Sequence, residues 1–339
     1  MPNPSTDNPP HKTPDRLPLL RLLIGGAMMG LANLVPGISG GTMLVAAGVY
    51  RRFVDAVSDA TRLRLSRTTI LTLGLIALAA AAAIALGAAP VALGLEHARW
   101  AMYALFIGLT LGGVPALYAL VTPMTPRTIA FAVLGLVVML GVVLAQEFGA
   151  GTTSSGGGGW PMLVIAGVAG AAAMVLPGVS GAYLLLLLGQ YEIVVTAIKD
   201  FVRLDVAALA VVIPVGVGVV LGIAVVSNLL RWLLHKYEKP TLAVLLGLLI
   251  GAPAGLYPFR EAVPPAPGDV VKGQILTEDT VGDVEREDWP TQAFTPSALQ
   301  IAGSFGLVVL GGAATLGGAR LGRERGRERR GEPTAEDGN

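Results

Sequence analysis

Apolar runs of about 20 residues, the length that crosses ~30 Å of hydrocarbon, alternate with short charged segments along most of this chain. The pattern predicts three spanning helices over Thr68–Ala89, Trp100–Leu120 and Arg127–Gln146. It predicts three more over Val206–Leu230, Thr241–Tyr257 and Ser297–Leu316. Trp100, Tyr103 and Tyr118 stand near the ends of the second, where aromatic rings favour the membrane interface. Residues 51–67 carry five Arg and read as the first loop. Two further apolar segments are interrupted. Leu17–Leu34 is cut from Ile38–Val49 by Pro36-Gly37, and Pro161–Leu176 from Val179–Gln190 by Pro177-Gly178. Neither piece on its own is comfortably long enough to cross.

The interrupted segment occurs twice. Met28–Tyr50 reads MMGLANLVPGISGGTMLVAAGVY and Ala169–Tyr191 reads AGAAAMVLPGVSGAYLLLLLGQY. Both contain Pro-Gly-(Ile/Val)-Ser-Gly, then a Gly (Gly48, Gly189) and a Tyr two residues on (Tyr50, Tyr191). A second pair, Gly108–Tyr118 (GLTLGGVPALY) and Gly247–Tyr257 (GLLIGAPAGLY), follows in the same order. Two matched stretches in one order indicate an internal duplication.

Charge placement orients the halves. If each broken segment is a hairpin that returns to its starting face, each half makes three crossings and the two halves are inverted. With the N-terminus inside, 18 Lys/Arg then face the cytoplasm and 6 face outward. If each broken segment crosses once, the split is 13 to 11. The excess of cations on cytoplasmic loops favours the first arrangement. The expected fold is therefore an all-α polytopic membrane protein with an inverted-topology repeat. Each half is a re-entrant, Pro-Gly-broken helical hairpin plus three transmembrane helices. The divisions are a disordered tail 1–16, repeat one at 17–147 with its hairpin at 17–50, and a Gly/Ser linker at 148–160. Repeat two follows at 161–318, with its hairpin at 161–192 and an acidic external loop at 260–296, and an Arg-rich cytoplasmic tail at 319–339 closes the chain. Both termini are expected in the cytoplasm and the protein in the inner membrane.

Composition narrows the chemistry. The chain is 53% hydrophobic and 14% charged, against about one quarter charged in soluble domains. It has no Cys, which excludes disulfides, thiolate metal sites and cysteine nucleophiles. His11, His97 and His235 have no metal-ligand spacing, and His97 and His235 fall in predicted loops. No catalytic residue, metal, cofactor or nucleic-acid partner is expected. No Gly-Lys-Ser/Thr follows either Gly-rich stretch, so neither is a nucleotide P-loop.

Pro cannot continue the helical hydrogen-bond ladder, and the Gly after it takes turn conformations closed to other residues. The chain restarts at Ser39–Thr42 and at Ser180–Tyr183, where Ser is a good N-cap. A helix N-terminus favours phosphate or carboxylate, and paired broken helices across inverted repeats form midplane sites in transporters. The candidate substrate-binding residues are Asn33, Pro36, Gly37, Ser39, Gly40, Gly41, Thr42, Arg51 and Arg52. Their counterparts in the second copy are Pro177, Gly178, Ser180, Gly181, Tyr183 and Glu192. Close helix packing is the competing explanation for the small residues. Arg51 and Arg52 either draw an anionic headgroup or anchor a loop to lipid. Glu192 is either a proton-coupling acid or a solvated helix end. Asn33 caps broken backbone or touches ligand. Tyr50 and Tyr191 read as interfacial anchors whose hydroxyls are available for a contact.

The stretches MGLANLVPGISGGTMLVAAGVY and LPGVSGAYLLLLLGQYE resemble the paired signatures of the polyprenyl-phosphate transporter family (PopT), over roughly residues 20–318. Arg51 stands where family members commonly have Glu, whereas Glu192 is kept; Ala182 replaces a small hydroxyl residue. The resemblance implies a flippase that returns undecaprenyl phosphate to the cytoplasmic leaflet, recycling the lipid carrier of cell-wall synthesis. Its partners would be the polyprenyl phosphate and the bilayer, with a homo-oligomer left open. A secondary transporter of a small soluble anion is the alternative.

Overall fold

The computed structural model describes residues 18–34, 39–147, 159–271, 274–284 and 289–328. The expected N-terminal tail, the end of the C-terminal tail, most of the Gly/Ser linker, and Pro36 with Gly37 lie outside the described residues.

The first half runs α1 (Leu19–Asn33), α2 (Gly40–Ala46), α3 (Tyr50–Thr61), α4 (Arg67–His97), α5 (Arg99–Leu111), α6 (Val114–Val121) and α7 (Pro126–Glu147). The second runs α8 (Gly159–Val175), α9 (Gly181–Leu187), α10 (Tyr191–Val202), α11 (Leu209–Lys236), α12 (Glu238–Gly251) and α13 (Ala298–Glu328). The order and lengths recur, and so does the backbone detail. Ser39 and Ser180, 141 residues apart, both hold extended backbone ahead of a seven-residue helix (φ −91, ψ 123 and φ −90, ψ 133). Gly48 and Gly189 have φ of 69° and 65°; Leu63 and Leu204, at the same offset, have φ of 57° and 65°.

Among the described residues, five helical stretches are long and apolar enough to cross a membrane: Arg67–His97, Arg99–Val121, Pro126–Ala145, Val206–Lys236 and Ala298–Gly317. Much of their surface is exposed apolar side chain, including Leu78, Leu86, Val133, Val220 and Phe305. Such a surface suits lipid rather than water. The chain is an α-helical polytopic membrane protein.

Several expectations need correction. The segment 51–67 is mostly helix: α3 buries Tyr50, Val54 and Val57 at i, i+4 and i+7 and carries Arg51 and Arg52 off that face, Arg62 and Arg64 fall in the turn after it, and Arg67 opens α4. The first spanning helix runs through Pro90 to His97 instead of ending at Ala89. Continuing costs one ladder hydrogen bond, whereas stopping in an apolar medium would strand a whole turn of backbone groups. The expected span Thr241–Tyr257 is α12 plus a 3-10 turn at Ala252–Gly255. At 1.5 Å per residue, the 14 residues of α12 are too short for the slab. They need not meet lipid, because α12 is buried on nearly every side. His97 and His235 sit in the last turns of α4 and α11, each bonded through Nδ1 to the carbonyl four residues back. The acidic segment 260–296 carries two short antiparallel pairs, β1 (Arg260–Ala262) with β4 (Thr291–Ala293), and β2 (Val270–Val271) with β3 (Gln274–Ile275).

Within each half the first helix packs on the long fourth one, α1 on α4 and α8 on α11. The last helices are exchanged: α7 of the first half packs on α12 of the second, and α13 of the second packs on α5 of the first. Glycines set the spacing at these crossings. A Cβ on Gly247 would stand 1.9 Å from the Ala132 carbonyl oxygen, and one on Gly108 would stand 2.2 Å from that of Val308. Small residues at these points let backbones approach where no hydrophobic driving force separates helix from lipid. At the centre lie α2, every residue of which is buried, and α12.

Gly247→Ala is expected to lower the melting temperature of the detergent-purified protein, costing about 1–3 kcal/mol for overpacking. Gly216→Ala on α11, where a Cβ meets nothing within 4 Å, should leave stability unchanged or raise it by about 0.5–1 kcal/mol. Equal effects in the two variants would contradict the packing described.

Candidate functional site: two breaks that meet

Breaking a helix with Pro strands backbone groups. The last carbonyls of α8 lose their amide partners at Pro177, and the Gly178 N–H has no helix to donate into. In an apolar interior each such group must find another partner. All the partners named here come from the first half. The Tyr50 hydroxyl donates to the Val175 carbonyl at 2.7 Å. Ser39 Oγ donates to the Leu176 carbonyl at 3.1 Å. Thr42 Oγ1 accepts from the Gly178 N–H at 2.8 Å. Gly178 has a φ of +90°, and a Cβ there would stand 2.8 Å from the Leu248 carbonyl oxygen of α12. Gly41 packs on the backbone of Met174 and Leu176, leaving 3.3 Å between the Met174 oxygen and the place a Cβ would occupy.

The structure thus brings Ser39, Gly41 and Thr42 against Pro177-Gly178. Ser180 is buried as the N-cap residue of α9, and Gly181 faces the Gly170 carbonyl of α8. The Asn33 side chain lies over the start of α2, with Oδ1 2.9 Å from where a Gly40 Cβ would be. The backbone of Tyr183 lies in α9; its side chain is outside the described set. Glu192 sits in the first turn of α10, where a carboxylate complements the helix N-terminus. The two tips differ in one respect: α2 is wholly buried, whereas α9 is half-buried with Leu186 exposed.

Arg51 and Arg52 are not at the breaks. They line a separate cleft between α3 and α4, and Arg51 is ion-paired with Glu238 at the start of α12. Tyr50 is not an interfacial anchor. It is 4% exposed and spends its hydroxyl on the other half.

A polar network that the sequence pattern did not flag ties α3 to α11. Arg231 pairs with Asp55 at 3.3 Å and with Asp59, while Ser58 donates to Asn228 at 2.8 Å. Its sequence signal is slight: Asn228 and Arg231 are polar at i and i+3 near the end of an otherwise apolar helix.

Removing a partner from the breaks should leave a buried backbone group unpaired at about 1–3 kcal/mol. Thr42→Val and Tyr50→Phe are each expected to lower the melting temperature, while Thr42→Ser, which keeps the acceptor oxygen, should retain most of it. Wild-type melting of Thr42→Val and Tyr50→Phe would show that the two breaks are not held by these bonds.

Residues 29–266 match the family model described as undecaprenyl phosphate translocase-like. The chain is 27% identical over 259 residues to a polyprenyl-phosphate transporter of Vibrio cholerae, covering 72% of this chain and 79% of that one. It is 28% identical over 243 residues to a polyprenyl-phosphate transporter of Staphylococcus aureus, covering 70% and 85%. No solved structure matches the chain. The family match spans both broken segments, the long helices α4 and α11 and the exchanged α7–α12 pair, and this chain belongs to the undecaprenyl phosphate translocase-like family.

Proposed function

We propose that this chain moves polyprenyl phosphate between the leaflets of the bilayer, and that the headgroup passes where the two Pro-Gly breaks meet. The substrate comes from the family and from the names of the two relatives. The place comes from one observation: two broken helices meet in the buried centre through hydroxyls and backbone N–H groups, inside a shell of lipid-length helices.

The cargo has two ends with opposite needs. Its isoprenoid tail is at home in lipid and can stay against the exposed apolar faces of the long helices. Its phosphate would cost far too much to drag through hydrocarbon bare. A phosphate is rich in acceptors, so it needs donors. The Ser39 hydroxyl and the Gly178 N–H are donors already poised at the junction, each now given to the opposite half. A headgroup that takes these donors must loosen the contact between breaks, so substrate entry and separation of the halves are one event. Asn33, Ser180, Gly40, Gly41 and Gly181 shape the surroundings, and the half-buried α9 is the side by which the junction is approached. Passage needs no bond to be made or broken.

In this reading 17–50 and 161–192 are re-entrant hairpins from opposite faces, so the halves are inverted. On the excess of Lys/Arg on one side of this arrangement, both termini are cytoplasmic and the protein lies in the inner membrane. Transport then runs from the outer leaflet to the cytoplasmic one, returning the lipid carrier for reuse.

Two measurements test this. The chain has no native Cys, so single cysteines report sidedness cleanly. Leu65→Cys and Val206→Cys occupy equivalent exposed positions in the two halves. They should react with an impermeant maleimide from opposite faces; labelling from the same face overturns the inversion. In vesicles, the full-length protein should speed the leaflet exchange of a fluorescent polyprenyl phosphate, and Ser39→Val should slow it about tenfold, the equivalent of one charge-assisted hydrogen bond. No acceleration by the wild type sinks the translocation reading, and uptake of a labelled soluble anion instead would replace it.

A further inference from the structure

The cleft beside α3 has a feature that neither the breaks nor the shared fold explains. It measures about 660 Å³ and is lined by Arg51 and Arg52 of α3 and by four hydroxyl residues at the start of α4: Ser66, Thr68, Thr69 and Thr72. We propose that it is a second binding site for a phosphate monoester anion, a docking point for the headgroup apart from the breaks. The assignment to a lipid headgroup rests on the translocation reading above; the affinity for phosphate does not.

Three observations carry it. First, Thr72 is 1% exposed, lines the cleft, and its hydroxyl has no hydrogen-bond partner. A threonine inside a helix ordinarily bonds the carbonyl one turn back, so a buried free hydroxyl at a cleft wall marks a donor held for something else. Second, it stands on a ladder at the head of a 31-residue helix. Ser66 accepts from the Thr69 N–H at 3.1 Å and shares a 2.8 Å hydrogen bond with the Thr69 hydroxyl. A helix of this length presents positive charge at that end.

Third, the duplication supplies an internal control. Both corners turn on a left-handed residue, Leu63 and Leu204, although α4 then starts from the extended cap Ser66 and α11 is entered through a 3-10 turn, Val206–Ala208, capped by Asp205. At the shared offset, Ser66 corresponds to Ala207, Thr68 to Leu209, Thr69 to Ala210 and Thr72 to Ile213. Arg51 corresponds to Glu192 and Arg52 to Ile193. At these positions the second half has apolar side chains and Glu192; its corner cation, Arg203, matches Arg62, which does not line the cleft. Thr72, Arg51 and Arg52 therefore have no counterpart in kind, and the repeated fold does not require them.

Asp55 and Asp59 share Arg231 of α11, and Arg51 is paired with Glu238. The Thr72 hydroxyl, the head of α4 and the guanidinium groups of Arg51 and Arg52 are the donors an anion entering the cleft would compete for, and they match the acceptor oxygens of a phosphate monoester.

Titration calorimetry on the full-length protein in detergent, with farnesyl phosphate and with inorganic phosphate as probes, tests the site. Farnesyl phosphate should bind, and Thr72→Val and Arg52→Gln should each weaken it about tenfold, while Thr72→Ser restores it. Inorganic phosphate binding as tightly as farnesyl phosphate identifies free phosphate as the ligand; markedly weaker binding identifies the lipid. Both support a phosphate site. Unchanged affinity in Thr72→Val and Arg52→Gln, or no binding of either probe to the wild type, overturns it. Should Thr72→Val fail to fold, Arg52→Gln on the surface of α3 decides alone. Wild-type leaflet exchange with these variants unaffected in binding would reject this site and leave the translocation reading standing. Binding that responds as described, without exchange, would do the reverse.

Discussion

A polypeptide that interrupts its own helix inside an apolar slab leaves donors and acceptors with nowhere to go. In this protein Pro177 creates that problem, and the opposite half of the chain solves it with Ser39, Thr42 and Tyr50. Much else follows from the need to keep these three side chains in reach. α2 is sealed because Ser39 and Thr42 flank its start. α12 is short and buried because its Leu248 carbonyl lies directly over Gly178. The long helices stand outside, where their apolar faces cost nothing in lipid. The halves are held together at their centre by polar contacts, in surroundings where losing one is expensive and exchanging one for a ligand is cheap.

That arrangement reconciles two explanations that first looked opposed. Small and hydroxyl residues at the breaks serve helix packing, since Gly41 and Gly178 sit against backbone with little space to spare. In the proposed site they are also the donors that an anion takes. The same atoms do both, and a site whose ligand competes with its own internal bonds holds that ligand only moderately. For a carrier that must let go, moderate affinity is an advantage. The duplicated halves are not equal, however. The first has a wholly buried tip, an α3 bound to α11 through Arg231, and a polar cleft; the second has a half-buried tip and apolar residues at the matching corner.

Much of this was legible in the chain itself. The Pro-Gly breaks, their repetition, the second matched pair at Gly108 and Gly247, and most of the long helices follow from local pattern, because lipid leaves the backbone few alternatives. Four things were not legible. α3 was hidden because its Arg residues drew attention away from the 4- and 7-residue spacing of Tyr50, Val54 and Val57. Tyr50 was misplaced because an aromatic beside arginines is the usual mark of an interface, and only the opposite half reveals its buried acceptor. The exchange of α7 and α13 depends on contacts such as Gly135 with Val244 and Gly108 with Val308, far apart in sequence, to which hydropathy is blind. Thr72 escaped notice because a threonine in an apolar helix is ordinary until its hydroxyl is found without a partner.

The exchanged helices also bear on how the protein is made. The first half emerges from the ribosome with α5 and α7 complete, yet α7 packs on α12 and α5 on α13, the last of the described helices. Until then the glycine-lined faces at Gly108 and Gly135 have only lipid against them. Assembly of the core is therefore a late, long-range event. A chain truncated before α13 would leave α5 facing the bilayer with its closest packing surface unfilled, a form that quality-control proteases could tell from the finished protein.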